Sequence, residues 1–167
     1  MNAAQLQNQA REGVEYRFGV ILKQRVRYAA LTALITTVEW CLISLKKRAS
    51  FDFPNNDVNE NEAVYILKVF NNKMKLELES KVLLIQKLIQ VRNCIVHAAG
   101  LLESCHHKKV SNLRQSLESL HGVKASNINF LGESIEIEYG FLEGVIGDVR
   151  KWLPYLEKSA IEQGLLI

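Results

Sequence analysis

Hydrophobic residues recur at helical spacing along most of this 167-residue chain. From residue 3 to about residue 45, apolar side chains follow each other every three or four positions, which predicts one long helix or two consecutive helices. The same spacing predicts further helices over about residues 60 to 72, 76 to 102, 107 to 120 and 141 to 163. The pattern therefore predicts a mostly helical protein.

Two segments interrupt the helical spacing. Residues 51–61, FDFPNNDVNEN, contain Pro54 and several Asn and Asp residues, which favour turns, so we predict a loop with Asn59 as a candidate cap of the next helix. Residues 126–139, SNINFLGESIEIEY, alternate apolar and polar side chains around LGES, which predicts two short strands in a hairpin. The apolar positions of this alternation are Ile128, Phe130, Ile135, Ile137 and Tyr139.

These elements predict an all-α fold, an up-and-down bundle of four to five helices with a small β-hairpin before the last helix. Gly122 follows the helix predicted over residues 107 to 120, at a place where a left-handed residue commonly ends a helix. Pro154 should kink or end the last helix, because proline lacks the backbone N–H. No linker divides the chain, so residues 1–167 are expected to form a single domain.

Composition favours a cytoplasmic globular protein. Hydrophobic residues make up 48% and charged residues 23% of the chain, which matches an ordinary core and surface. The three cysteines, Cys41, Cys94 and Cys105, show no CxxC spacing, and the N-terminus has polar residues where a secretory signal has apolar ones. The apolar stretch at residues 28–45 carries Glu39 and three threonines, so we interpret it as a buried core helix and not as a membrane span.

Positive charge is concentrated in the larger, N-terminal part of the chain. Residues 1–127 contain 18 Lys and Arg against 11 Asp and Glu, a net charge of +7, whereas residues 128–167 contain 3 against 7, a net charge of −4. Such an excess can attract a polyanion, although basic residues spread along amphipathic helices most often mark only a solvated face.

One short segment, RNCIVH at residues 92–97, combines a cation, an amide and an imidazole near the end of an otherwise apolar helix. Asn93 and His97 are four residues apart and share a helix face, whereas Arg92 and His97 are five apart and about 140° apart around the axis. A guanidinium is suited to grip a phosphate, and an imidazole can remove a proton from a ribose 2′-hydroxyl or return one to a leaving oxygen. This chemistry requires no metal or cofactor.

Glu39 lies alone in the apolar segment TTVEWCL, and a buried carboxylate normally needs a partner. Arg92 is the partner that we predict, in which case Glu39 would fix the guanidinium at the site. The alternative is that Glu39 reaches solvent or a lysine.

The motif at Arg92, Asn93 and His97, the small residues that follow it and the order of the helices resemble the HEPN superfamily. The resemblance covers most of the chain. It implies a homodimer in which two motif helices pack about a two-fold axis to form one composite cleft. It also implies that His97 is the general acid or base, that Arg92 stabilises charge on the phosphate, and that Asn93 orients the motif.

The function implied by this resemblance is a metal-independent endoribonuclease of toxin or antiphage-defence type. It would cleave RNA by 2′-hydroxyl transesterification to a 2′,3′-cyclic phosphate and a 5′-hydroxyl. An antitoxin or another regulatory protein is a possible further partner. HEPN toxins that a partner nucleotidyltransferase modifies typically carry a tyrosine two residues after the histidine, and here that position is Ala99.

Alternative interpretations of these residues remain open. The chain could be a non-catalytic module that dimerises or binds a partner or RNA, with Asn93 and His97 making only a structural contact. A helical DNA-binding protein would require a helix-turn-helix, which the sequence does not show convincingly. His106 and His107, next to Cys105, lack a second cluster at ligand spacing, so we interpret them as an exposed loop and not as a metal site.

Overall fold

The computed structural model describes residues 3–56, 60–105, 107–129 and 132–167. It confirms the predicted fold class, an all-α protein with a two-stranded β-hairpin before the last helix. Helix α2 (Lys23–Lys47) is central, because it contacts the hairpin and three other helices, α3 (Glu62–Met74), α4 (Glu79–Ala98) and α6 (Phe141–Glu162).

The chain begins with one continuous helical rod. Helix α1 (Ala3–Tyr16), a π-helical segment (Arg17–Leu22) and α2 (Lys23–Lys47) follow each other without a break. Of the two predicted alternatives, one long helix is therefore the correct one. Every α1 side chain that the structure describes is exposed. The inward face of α2 is fully buried, at Leu31, Ile35, Val38, Leu42 and Leu45.

The described residues of the loop predicted after α2 form no helix or strand, and helix α3 (Glu62–Met74) begins directly after them. The side-chain oxygen of Asn61 accepts hydrogen bonds from the backbone N–H groups of Ala63 and Val64, at 2.9 and 3.4 Å, so Asn61 caps α3. The predicted cap, Asn59, lies outside the described residues.

Helix α4 (Glu79–Ala98) carries the RNCIVH segment in its last two turns, as predicted, but it ends before the predicted limit at residue 102. Ala99 and Gly100 adopt left-handed conformations, with φ of 52° and 79°. Gly100 lies against the ring of Tyr28, so that an added Cβ atom would be only 2.5 Å from the tyrosine Oη atom. This tertiary contact requires the chain to turn away from the helix axis.

Helix α5 (His107–Ser119) matches its prediction, and Gly122 follows it with a φ of 94°. Strands β1 (Val123–Asn129) and β2 (Gly132–Ile137) pair antiparallel. The predicted strand limits are partly wrong: β1 starts directly after Gly122, and Tyr139 lies beyond β2 with 89% of its surface exposed. Phe130 lies outside the described residues, and Ile128 belongs to β1.

Helix α6 (Phe141–Glu162) runs through Pro154, so the prediction that this proline could end the helix is wrong. Because proline has no N–H, the carbonyl of Arg150, four residues earlier, lacks its helical hydrogen bond. Pro154 is exposed, so water can bond to this carbonyl instead. Trp152 and Leu156, on either side of the proline, are buried in the core and hold the helix in place.

The hairpin packs on α2 through polar side chains. The buried Gln24 side chain donates to the Ile137 carbonyl at 3.0 Å and accepts from the Ile137 N–H at 3.1 Å. The Tyr28 hydroxyl donates to the Ile135 carbonyl, and burial raises the pKa of Tyr28 to about 12. These bonds satisfy the N–H of Ile137 and the carbonyl of Ile135, and the Ile137 carbonyl also accepts from Arg27 Nη1 at 2.7 Å.

Part of the N-terminal rod, within Gln7–Lys47, is long and apolar enough to cross a membrane by length and composition alone. The core helix of a soluble protein passes the same test, and the inward face of α2 is buried against the other helices. The cytoplasmic location stays a prediction.

We predict that Gly100→Ala destabilises the fold by about 2 to 4 kcal/mol, because it adds a clash with Tyr28 to the cost of a left-handed alanine. Gly140→Ala is the matched control, since Gly140 also has a positive φ but no atom within 4 Å of an added Cβ. It should cost only about 1 kcal/mol. Urea unfolding measures both, and equal losses would contradict a tight Gly100–Tyr28 contact.

Candidate active site

The three motif residues occupy two sides of the C-terminal part of α4. Asn93 and His97 are both exposed on one face, as their spacing predicts. Arg92 is half-buried and points toward α2. The neighbouring Val91, Cys94 and Ile95 are buried, so packing of the opposite face of α4 fixes the direction of the motif.

Glu39 of α2 and Arg92 of α4 form an ion pair, which confirms the partner predicted for Glu39. The Arg92 Nη2 atom lies 2.5 Å from the Glu39 Oε1 atom. The two side chains are only 20% and 18% exposed, so solvent screens their attraction less than it screens a surface pair. The pair therefore both ties α2 to α4 and restricts the guanidinium.

Asn61 completes this cluster and was not predicted from the sequence. Its Nδ2 atom donates to the Glu39 Oε1 atom at 3.2 Å, while its Oδ1 atom caps α3. One side chain thereby joins the start of α3 to the ion pair between α2 and α4. The usable signal was an Asn directly before the first apolar positions of a helix, but only the fold brings that residue next to Glu39.

Arg92 keeps hydrogen-bonding capacity beyond its bond to Glu39. A guanidinium has five N–H donors, and Glu39 accepts from the Nη2 group. The Nε atom is buried and has no hydrogen-bond partner in the described part of the chain. The part of the side chain that remains exposed can therefore still donate to a phosphate oxygen.

His97 lies in the last turn of α4, and its side chain forms no hydrogen bond or ion pair with any residue that the structure describes. Nearby, the Arg25 guanidinium of α2 donates from Nη1 to the carbonyl of Ala99 at 2.8 Å. Arg25 is exposed and bonds to a residue only two positions after His97, so it adds a second cation, besides Arg92, to this end of α4. Arg25 could not be identified from the sequence, because its approach to α4 depends on how the two helices pack.

A cleft of about 450 Å³ opens beside the ion pair, between α3 and α4. Asn61, Lys68, Gln86 and Gln90 provide polar groups along its wall. It shares Asn61 with the Glu39–Arg92 cluster, and Gln90 lies half a turn before Arg92 on α4. The cleft could admit a polar group next to the motif.

Metal ligands are not grouped in the described residues, where no cluster of three or more His, Cys, Asp or Glu side chains occurs. His106 lies outside the described residues. His107 begins α5, so the prediction of a loop is wrong for this residue, although its side chain is not described.

Comparison of the chain with protein-family models, with curated proteins and with solved structures finds no match. The HEPN resemblance therefore depends on Arg92, Asn93 and His97, on the small residues that follow them and on the helix order.

We predict that a double-mutant cycle with Glu39→Ala and Arg92→Ala gives a coupling energy of about 1 to 3 kcal/mol, because each single variant leaves a mostly buried charge unpaired. Urea unfolding of the four proteins measures it. The more exposed pair Arg48–Glu157 is the control and should give less than about 1 kcal/mol. A similar value for both pairs would contradict a special role for Glu39.

Proposed function

We propose that this protein is a metal-independent endoribonuclease that acts in a cleft shared by two copies of the chain. The observation that carries the proposal is the arrangement of one helix end. Arg92 is restrained by Glu39 at the edge of the core, while Asn93 and His97 are exposed and make no bond within the described residues. An exposed imidazole, together with a positioned guanidinium that has donors beyond its bond to Glu39, supports the nuclease function better than a purely structural motif.

The proposed reaction is transesterification. His97 of one subunit removes the proton from a ribose 2′-hydroxyl, and the resulting oxygen attacks the adjacent phosphorus. The bond from phosphorus to the 5′-oxygen breaks, and the imidazolium of the second copy returns a proton to that leaving oxygen. The Arg92 guanidinium donates to the phosphate oxygens as negative charge develops on them. The products are a 2′,3′-cyclic phosphate and a 5′-hydroxyl.

A second copy of the chain is part of the proposal for a geometric reason. Within one chain Arg92 turns toward Glu39, while His97 lies about 140° away around the α4 axis. A two-fold pairing of α4 would bring the histidine of each copy toward the arginine of the other. Val96, which directly precedes His97, is 53% exposed and would lie within such a contact.

The biological setting that we propose is toxin or antiphage defence in the cytoplasm. A nuclease without strong sequence preference would harm its own cell, so an antitoxin or another regulatory protein is an expected partner. Ala99 stands where a tyrosine would accept a nucleotide in related toxins, so we do not propose that form of control.

We predict that the purified protein cleaves RNA in the presence of EDTA and that His97→Ala lowers the rate at least about 100-fold, the usual share of a general acid or base. Gel electrophoresis and end-group analysis would show the 2′,3′-cyclic phosphate. The matched control is His121→Ala, since His121 is an exposed histidine beyond the end of α5.

The His121→Ala variant should retain full activity, and both variants should unfold at the temperature of the original protein. Undiminished cleavage by folded His97→Ala protein would reject His97 as the catalytic residue.

We also predict that refolding the inactive Arg92→Ala and His97→Ala proteins together, so that their subunits exchange, raises the activity at least about tenfold above that of the His97→Ala protein. Compared with the His97→Ala dimer, a mixed dimer regains one histidine, while the other chain keeps an intact arginine. This one general acid or base contributes a factor larger than tenfold even though the second histidine is still missing. The control mixes His97→Ala with the Arg92→Ala/His97→Ala double variant. No recovery in the first mixture would place the whole site within one chain.

A second candidate function is a non-catalytic module that dimerises or binds a partner. The observation that favours it is an exposed stripe along α2 and its N-terminal extension, with spacings of four and three residues that resemble the seam of a coiled coil. Its members are Leu22, Val26, Ala29, Ala33, Thr36 and Trp40. A stable particle of about 38 kDa, twice the chain mass of 19.0 kDa, with RNA left intact would favour this function.

A further inference from the structure

Two of the three cysteines lie next to each other. The Sγ atoms of Cys94 in α4 and Cys105 in the following loop are 2.7 Å apart, and both lie near the carbonyl oxygen of Leu101. A disulfide bond is about 2.05 Å long, so only a small movement separates the two thiols from a covalent bond. Cys41, on α2, takes no part in this contact.

We propose that Cys94 and Cys105 are a dithiol redox site, which small-molecule disulfides such as glutathione disulfide convert into an intramolecular bond. This proposal goes beyond the nuclease function and does not depend on it. Cys94 stands inside the RNCIVH segment, between Asn93 and Ile95. The bond would therefore join the motif helix to the loop that follows it.

The two thiols differ in accessibility, which sets the order of the reaction. Cys94 is 5% exposed, and burial, together with the neighbouring Cys105, raises the pKa of its thiol well above the usual range. Cys105 is half-buried, so it meets the oxidant first. Its thiolate attacks the small disulfide, forms a mixed disulfide and releases one thiol.

The Cys94 sulfur then gives up its proton and attacks the Cys105 sulfur, which releases the second small thiol. Two protein thiols and one small disulfide thus yield one protein disulfide and two small thiols, so atoms and electrons balance. The small disulfide is the oxidant, and no other reactant is needed.

The fold holds the two sulfurs together before any oxidation. The loop between them is bonded to β2, because Leu102 N–H donates to the Glu133 carbonyl and Ile135 N–H donates to the Gly100 carbonyl, both at 2.9 Å. The Cys105 N–H in turn donates to the Leu102 carbonyl at 3.1 Å. Because these bonds already fix the loop, the bridge should form without unfolding α4 and should stabilise the native state.

The experiment uses the full chain incubated with glutathione disulfide and then analysed by intact mass, thiol titration and peptide mapping. We expect one bridge, Cys94–Cys105, a mass lower by two hydrogens, and a fall from three free thiols to one. The melting temperature should rise by about 5 to 10 °C. Excess dithiothreitol should reverse all three changes.

Three variants complete the test. Cys41→Ser should form the same bridge at the same rate. Cys105→Ser and Cys105→Ala should form none and should not show the rise in melting temperature. Three thiols that stay free, a bridge that includes Cys41, or a bridged protein that melts at a lower temperature than the reduced one would each overturn the proposal. None of these readouts involves RNA, so they stand or fall separately from the nuclease function.

Discussion

The burial of one face of α2 is the constraint on which the rest of this structure depends. Leu31, Ile35, Val38 and Leu42 are each at most 1% exposed, and burial of such a side chain stabilises a fold by roughly 1.5 to 3 kcal/mol. Helices α3, α4 and α6 and the hairpin all pack against this helix. The direction of α4, and with it the exposure of His97, follows from that packing.

Glu39 is the exception on this helix, because it places a carboxylate at the border of an apolar interface. A charge in that position is costly unless it is paired, and Arg92 and Asn61 both bond to it. The same contacts join α2, α3 and α4 at one point. The Glu39 carboxylate, which is costly to bury, thereby determines where the guanidinium of the motif lies.

The helices could be predicted because their signal is local. Apolar spacing places α3, α5 and α6 within a few residues of their observed limits, and the need of Glu39 for a partner indicates Arg92. Features set by contacts distant in sequence could not be predicted. The early end of α4 depends on Gly100 meeting Tyr28, and the start of β1 depends on the pairing of Val123 with Ile137.

The same distinction explains the remaining differences. Pro154 carries a local signal to stop a helix, but the packing of Trp152 and Leu156 overrides it. Asn61 and Arg25 reach the site only through the arrangement of the helices. The approach of Cys105 to Cys94 depends on the loop bonded to β2, whose course no periodicity in the sequence indicates.

The left-handed end of α4 has an electrostatic consequence for any nucleic acid that approaches it. The last carbonyl groups of a helix carry partial negative charge, so an incoming polyanion is repelled at the C-terminal end of α4. The Arg25 guanidinium donates a hydrogen bond to the carbonyl of Ala99, and its positive charge compensates part of that negative charge. For a negatively charged chain near His97, a residue of a different helix would therefore offset part of the repulsion from the end of α4, and added salt would screen this effect.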